Sequence, residues 1–278
     1  MNGDRRRRAR VQGGWAAPVR NVRSDKDKPK AMAEPAWLAK TVDDPVPKKF
    51  TYEQPQEDFR VKPEELIITK PGLYDISLEP SGVSRLRFFP NFLDPQHSKE
   101  LFQQLFHEVP WRQRSIIVGG VSYLQPRLTA WFGEQPYSYS GVTHEPNQQW
   151  PVALTVLREQ LEEVTGTRFN SLLANLYRDG HDSIDWHSDD EPSLGTNPII
   201  ASLSFGGTRN FEMRKKPPMG NTGDYTYSQT VRVPLESGSL LIMEGCTQAD
   251  WQHRVPKEYH DRGPRINLTF RVIHPEHT

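Results

Sequence analysis

Between residues 169 and 273 the chain carries eight short strand candidates in a row: 169–178, 183–187, 199–205, 208–214, 225–234, 239–244, 251–255 and 265–273. They are rich in apolar, β-branched and aromatic residues and are separated by Gly, Pro, Asn and Asp. So many short strands point to an all-β sandwich or jelly roll, with a mouth where a ligand sits.

Two further strands precede this run, at 72–78 and 83–89, separated by the turn signal Pro80-Ser81-Gly82. Asp94-Pro95 has the form of a helix N-cap followed by proline at the first turn. Behind it Leu101, Leu105 and Val109 recur at helical spacing, with Phe102 and Phe106 widening the stripe. A second helix is predicted over 151–164, with Leu154, Leu157 and Leu161 inward and Gly166 just past its end. The expected architecture is therefore mainly β with flanking helices. An aromatic-rich section joins the helices, with Gly119-Gly120 as a hairpin turn. Trp131 and Phe132 suit a core. Tyr137 and Tyr139 lie in a polar segment, 136–140, without a buried-strand pattern, so exposed rings that stack on a flat ligand are one reading and core packing the other.

The formal net charge is zero, yet residues 1–30 hold ten Lys or Arg against three Asp. Charge as a whole therefore argues neither for nor against nucleic acid; local patches must decide. Residues 1–62 are rich in Pro, Lys, Arg and Asp and lack periodicity, so a disordered basic tail is expected, followed by a folded catalytic domain over 63–278. The Arg-rich run at 5–10 suits a nuclear address or a nucleic-acid contact, or simply a solvated tail. The single cysteine, Cys246, excludes an intrachain disulfide and suits a reducing compartment. No run of eighteen apolar residues exists, and no membrane partner is expected.

His187-Ser188-Asp189 supplies two metal-capable side chains that a strand would turn to one face. His253 is the candidate third ligand. Two His and one carboxylate form the facial triad of non-haem Fe(II) oxygenases, with coordination positions left open. The pair alone is a weak signal, since a surface His and a satisfied core His would look the same. Arg265-Ile266-Asn267-Leu268-Thr269-Phe270-Arg271 alternates strictly. On periodicity alone the better expectation is an outward polar face with Ile266, Leu268 and Phe270 turned to the core. The other reading turns Arg265, Asn267, Thr269 and Arg271 inward, which is costly unless a ligand pairs with them. Two Arg forks suit a dicarboxylate. Asn175 and Tyr177 share one face of their own strand and could donate to the same ligand.

Taken together, Asn175-Leu176-Tyr177, His187-Ser188-Asp189, His253 and the 265–271 segment resemble the AlkB family of Fe(II)- and 2-oxoglutarate-dependent dioxygenases, over about residues 72–275. The resemblance implies a double-stranded β-helix, a jelly-roll variant with helices outside. It implies Fe(II) on His187, Asp189 and His253, with O2 at an open position. It implies 2-oxoglutarate on Asn175, Tyr177, Arg265 and Arg271, with Arg265 at the distal carboxylate, Arg271 nearer the metal and Asn267 assisting. Trp111, Arg127, Tyr137, Ser138, Tyr139, Asp190 and Glu191 are the implied substrate contacts, and Leu173, on the same strand face as Asn175, is expected to lie close enough to the metal to be hydroxylated itself. The implied reaction removes the methyl group of N1-methyladenine or N3-methylcytosine in single-stranded DNA and RNA, as formaldehyde. The implied setting is nucleus and cytoplasm, with a helicase-complex partner reading the tail. One departure stands out: the 116–121 hairpin is apolar, where the family's is richer in charge. The same oxygenase chemistry on a protein or lipid, and a catalytically silent nucleic-acid binder, remain as alternatives.

Overall fold

The computed structural model describes residues 61–118, 121–139, 142–218 and 223–275. The basic tail expected to be disordered lies outside these residues, as does the Gly119-Gly120 turn. In chain order the strands are β1 Leu66–Ile67, β2 Gly72–Ser77, β3 Ser84–Phe89, β4 Ser115–Val118, β5 Val121–Leu124, β6 Leu128–Gly133, β7 Tyr137–Tyr139, β8 Val142–His144, β9 Ser171–Tyr177, β10 Ile184–His187, β11 Ile200–Gly206, β12 Arg209–Lys215, β13 Thr230–Leu235, β14 Leu240–Gly245, β15 Trp251–Val255 and β16 Arg265–Arg271. The helices are α1 Pro95–Glu108, α2 Val152–Thr165 and the single turn α3 Thr247–Asp250.

Two sheets hold the molecule. The larger runs β2-β3-β14-β11-β16-β9-β6 and the smaller β1-β13-β12-β15-β10. From β9 onward the chain crosses between them repeatedly: β9, β11, β14 and β16 lie in the larger sheet, β10, β12, β13 and β15 in the smaller. That winding is the double-stranded β-helix the sequence led us to expect. Two short hairpins, β4-β5 and β7-β8, stand apart from both sheets.

The sequence shows why the helices sit where they do. The Asp94 side chain accepts a hydrogen bond from the His97 amide at 2.9 Å and starts α1, with proline in its first turn. Gly166 ends α2 in the left-handed region, φ 69°, its amide donating to the Glu162 carbonyl. Leu101 and Leu105 of α1 and Leu154, Leu157 and Leu161 of α2 join the outward apolar row of the larger sheet, including Ile266, Leu268 and Phe270 of β16. A second core fills the space between the sheets, where Tyr177, Leu241 and Met243 meet Phe211, Val233, Trp251 and Val255.

The expectation of an outward polar face on β16 is overturned. All seven residues of the strand are buried. Its apolar row is covered by the helices, so its polar row, Arg265, Asn267, Thr269 and Arg271, must point between the sheets. A strand with both faces covered shows no solvent side for an alternating pattern to report. The strand expected over 225–234 starts only at Thr230. Before it, Asp224 Oδ1 accepts from the Thr226 amide at 2.9 Å, an Asx turn that takes Tyr225 and Tyr227 out of the ladder.

Candidate active site

β10 and β15 pair antiparallel with His187 directly opposite His253, and their imidazole centroids are 4.1 Å apart. The spacing led us to expect His187 and Asp189 on one strand. Instead β10 ends at His187, and Asp189 is held by the loop that follows. Its amide donates to Gln248 Oε1 at 2.9 Å, Ser188 Oγ donates to the Trp251 carbonyl at 2.8 Å, and Arg271 Nη2 donates to Asp189 Oδ2 at 2.7 Å. The ligand-capable atoms of His187, Asp189 and His253 all lie within 4.8 Å of one another.

Electrostatics prepare these groups for a cation. Burial lowers both imidazoles; His253 is held down to about 3, by burial first and by neighbouring His187 second. Both rings are therefore neutral at pH 7, the form that ligates a metal. His187 Nδ1 lies 2.8 Å from the Asp185 carbonyl; with its proton there, the Nε2 lone pair is left for coordination. Burial alone would raise the Asp189 carboxyl, but Arg271 and the two imidazoles together hold it below the usual range. Asp189 Oδ1 and His253 Nδ1 are buried without a hydrogen bond. Two neutral imidazoles, an anionic carboxylate and unused buried acceptors are a donor set that fits Fe(II).

The space beside them fits a dicarboxylate. β9 and β16 pair so that Asn175 faces Asn267 and Tyr177 faces Arg265. Arg265 Nη2 donates to Ser204 Oγ at 2.9 Å, while its Nε and Nη1 make no hydrogen bond. Burial lowers this guanidinium to about 10, still charged at pH 7, with Tyr177's ring 5.3 Å away. Asn267 donates to Ser202 Oγ at 2.8 Å and accepts from Thr269 Oγ1 at 2.9 Å. At the other end of the row Arg271 Nη1 is also without a partner. Charged donors unused at both ends, with amides and hydroxyls between, match two carboxylates and a central oxygen. Sequence reasoning missed Ser202, Ser204 and Gln248. The two serines had a signal, being small polar residues at alternate positions of an otherwise apolar strand; Gln248 had none.

A larger cleft of about 640 Å³ lies outside the inner cavity, and Ile184 and His187 line both. Arg127, Arg254 and Lys257 line it with Asp185, Trp186 and Tyr259. Arg127 is buried; its Nε donates to Asn175 Oδ1 at 3.0 Å, so it touches the inner site from the outer one. Leu173 lines the inner cavity opposite Thr269. Glu191 is half-buried with Oε2 unpartnered, and burial, aided by Asp189, pushes it up to about 6.

Two expected substrate contacts, Trp111 and Asp190, have other partners, and Tyr137 lies at the site without an exposed ring, the Arg271 guanidinium 5.7 Å from its centroid. Trp111 packs on the helix side of the larger sheet and donates to the Phe106 carbonyl at 3.2 Å. Tyr137 is 1% exposed and stacked on Trp131 at 4.6 Å, so it offers no free ring at a rim. Asp190 is exposed and pairs with Lys216 at 3.5 Å. The side chains of Ser138 and Tyr139 lie outside the described residues, although their backbone belongs to β7.

A jelly roll with an inner carboxylate pocket beside a His, Asp, His cluster defines a class of enzyme. Residues 85–271 match the model of the 2OG-Fe(II) oxygenase superfamily, and the chain belongs to that family. It is an Fe(II)- and 2-oxoglutarate-dependent dioxygenase, with O2 as co-substrate. Within it the chain is 55% identical to the alpha-ketoglutarate-dependent dioxygenase alkB homolog 3 of Bos taurus over 281 residues, covering 98% of this chain and 97% of that one. To alkB homolog 3 of Homo sapiens it is 54% identical over 286 residues, with the same coverage. A second relative, the DNA oxidative demethylase ALKBH2 of Homo sapiens, is 38% identical over 179 residues, 63% of this chain and 68% of its own. The AlkB resemblance is thus a true kinship.

Proposed function

We propose that the chain oxidatively demethylates N1-methyladenine and N3-methylcytosine in single-stranded DNA and RNA and releases formaldehyde. The observation that carries this reading is the outer cleft that meets the inner site at His187, lined by three cations against one acid. A cleft of that sign draws in a polyanion. The relatives support the same substrate class, one of them being named a DNA oxidative demethylase. A protein or lipid substrate would not call for this lining.

In this reading His187, Asp189 and His253 hold the iron. Bound there, the iron with 2-oxoglutarate and O2 supplies the oxidising power that hydroxylates the methyl group. Arg265, with Tyr177 beside it, holds the distal carboxylate of 2-oxoglutarate, and Asn175 and Asn267 flank its middle. Arg271 fixes Asp189 and steadies the charge at the metal end. The N-hydroxymethyl product collapses by itself, returning the base and formaldehyde. A methyl group on the pairing edge can be reached only if the base is unpaired. A single strand avoids most of the unpairing cost of a few kcal/mol. Glu191, with an unused carboxylate oxygen near Asp189, is the acceptor for a base amino group. The basic tail serves as nuclear address and partner contact, consistent with a protein that works in nucleus and cytoplasm.

The test is aerobic incubation with Fe(II), 2-oxoglutarate and a methylated single-stranded oligonucleotide, followed by formaldehyde and base analysis. Restored adenine or cytosine with one formaldehyde per methyl group is expected. Succinate formation without any change in base composition would overturn the reading.

A further inference from the structure

We propose that the outer face of the five-stranded sheet carries a second contact for single-stranded nucleic acid, a ladder of planar side chains that takes up the strand as it leaves the cleft. The proposal rests on the demethylase reading above.

Side chains alternate across a strand. With Phe211, Met213, His253 and Val255 turned inward, Glu212 and Arg214 of β12 and Gln252 and Arg254 of β15 turn out, and they face one another in register. Trp186 of β10 and Tyr225 complete the row. The Arg254 guanidinium lies 4.4 Å from the Trp186 ring centroid. Arg214 lies 4.3 Å from that ring and 3.5 Å from the Tyr225 ring. Arg214 Nε and Nη2 both donate to Gln252 Oε1, at 3.0 and 2.8 Å, which fixes the plane of its guanidinium. Arg254, Trp186, Arg214 and Tyr225 thus touch in series.

Charge and continuity identify the occupant. Arg254 is met by Glu212 at 2.7 Å, but Arg214 and Lys257 have no ion pair among the described residues. Unspent positive charge on an ordered surface favours an anionic partner. Trp186 and Arg254 also line the cleft, so the ladder begins where the cleft wall ends and needs no separate path. With Nε and Nη2 of Arg214 bound to Gln252, its Nη1 is the group turned to phosphate. With Trp186 held between two guanidiniums, the ring face for a base is that of Tyr225 away from Arg214. Because the planes are already ordered, little side-chain freedom is lost on binding. The other use of such a row is as a brace for Trp186 alone.

The experiment compares two methylated oligonucleotides on the full chain. One is only a few nucleotides long, centred on the methylated base; the other extends by about ten nucleotides on each side. Binding is measured by anisotropy across a range of salt, for wild type, Arg214→Gln and Arg214→Lys. Arg214→Gln should weaken the long ligand several-fold and flatten its salt dependence by about 0.7 in logarithmic slope for each phosphate that the protein no longer neutralises. The short ligand, which does not reach Arg214, should bind all three proteins alike. Arg214→Lys should keep the salt slope while losing part of the affinity. Equal losses for both lengths would identify Arg214 as a brace, and an unchanged long ligand would remove it from any contact; either result overturns the proposal. Wild type that releases no formaldehyde from either oligonucleotide overturns the demethylase reading itself, and the ladder with it.

Discussion

Asp189 carries the heaviest duty of any single side chain, since Arg271 depends on it as much as a metal would. Asp189→Ala should abolish formaldehyde release. It should also cost the metal-free protein about 3 kcal/mol, because it leaves a buried guanidinium without its counter-charge. Urea denaturation of apo protein measures the second effect apart from the first. Arg271→Ala should raise the 2-oxoglutarate concentration needed for half-maximal turnover; an unchanged dependence would remove Arg271 from that site. Leu173, in the wall of the inner cavity, should gain one oxygen atom in protein incubated with Fe(II) and 2-oxoglutarate but no nucleic acid, seen as intact mass. His144 gives a pH prediction. Burial first, then Arg114 and Arg127, lower it from 6.5 to about 4. The unfolded chain takes up a proton near pH 6.5 and the folded chain only near 4, so this group makes stability fall as pH drops through that window. His144→Asn should lose less stability than wild type between pH 7 and pH 5. At this scale the metal-capable residues were legible in combination, because His187-Ser188-Asp189 and His253 stand together with Asn175-Leu176-Tyr177 and the alternating 265–271 segment. Tyr137 was not, because a tyrosine in a polar run looks exposed until its partner, Trp131, is known.

At the scale of elements, β2, β3, the two long helices and the strands from β9 onward were legible to within about five residues, because apolar periodicity and caps are local. In contrast β1, β6, β7, β8 and α3 were not, being short or without alternation. What β16 does with its polar row was not, since alternation reports two faces without saying which is wet. The loops about the cleft obey a different control. The Gly180 carbonyl accepts from the Glu258 amide at 2.8 Å, and a Cβ at Gly180 would meet the Glu258 carbonyl oxygen at 2.5 Å. That contact sets the segment carrying Pro256, Lys257 and Tyr259, all in the cleft wall. Gly180→Ala should therefore raise KM for the oligonucleotide while leaving the 2-oxoglutarate requirement near its wild-type value. Equal changes in both would show that the loop supports the whole site. Removing the α1 cap with Asp94→Ala, far from the cleft, should cost about 1 kcal/mol and leave both constants alone.

At the scale of the whole molecule, the two sheets are joined through their shared inner core and through a site built from both. His253 belongs to the smaller sheet; Asn267 and Arg271 belong to the larger. A ligand that bridges them should stabilise the folded state. Mn(II) as a redox-silent substitute, with 2-oxoglutarate, at a hundred times the dissociation constant should add about 2.7 kcal/mol. Its upward shift in Tm should vanish in His253→Ala. That long-range closure is the part no local pattern could announce, since residues 187 and 253 become neighbours only through the pairing of β10 with β15.

The cross-strand pairs Asn175–Asn267 and Tyr177–Arg265 leave no tolerance along the chain. One residue inserted within β9 or β16 would swap oily for watery side chains along the rest of that strand, destroying pocket and core in a single event. Drift in the length of this enzyme is therefore confined to its connections, and whatever novelty its descendants acquire must be written in the turns.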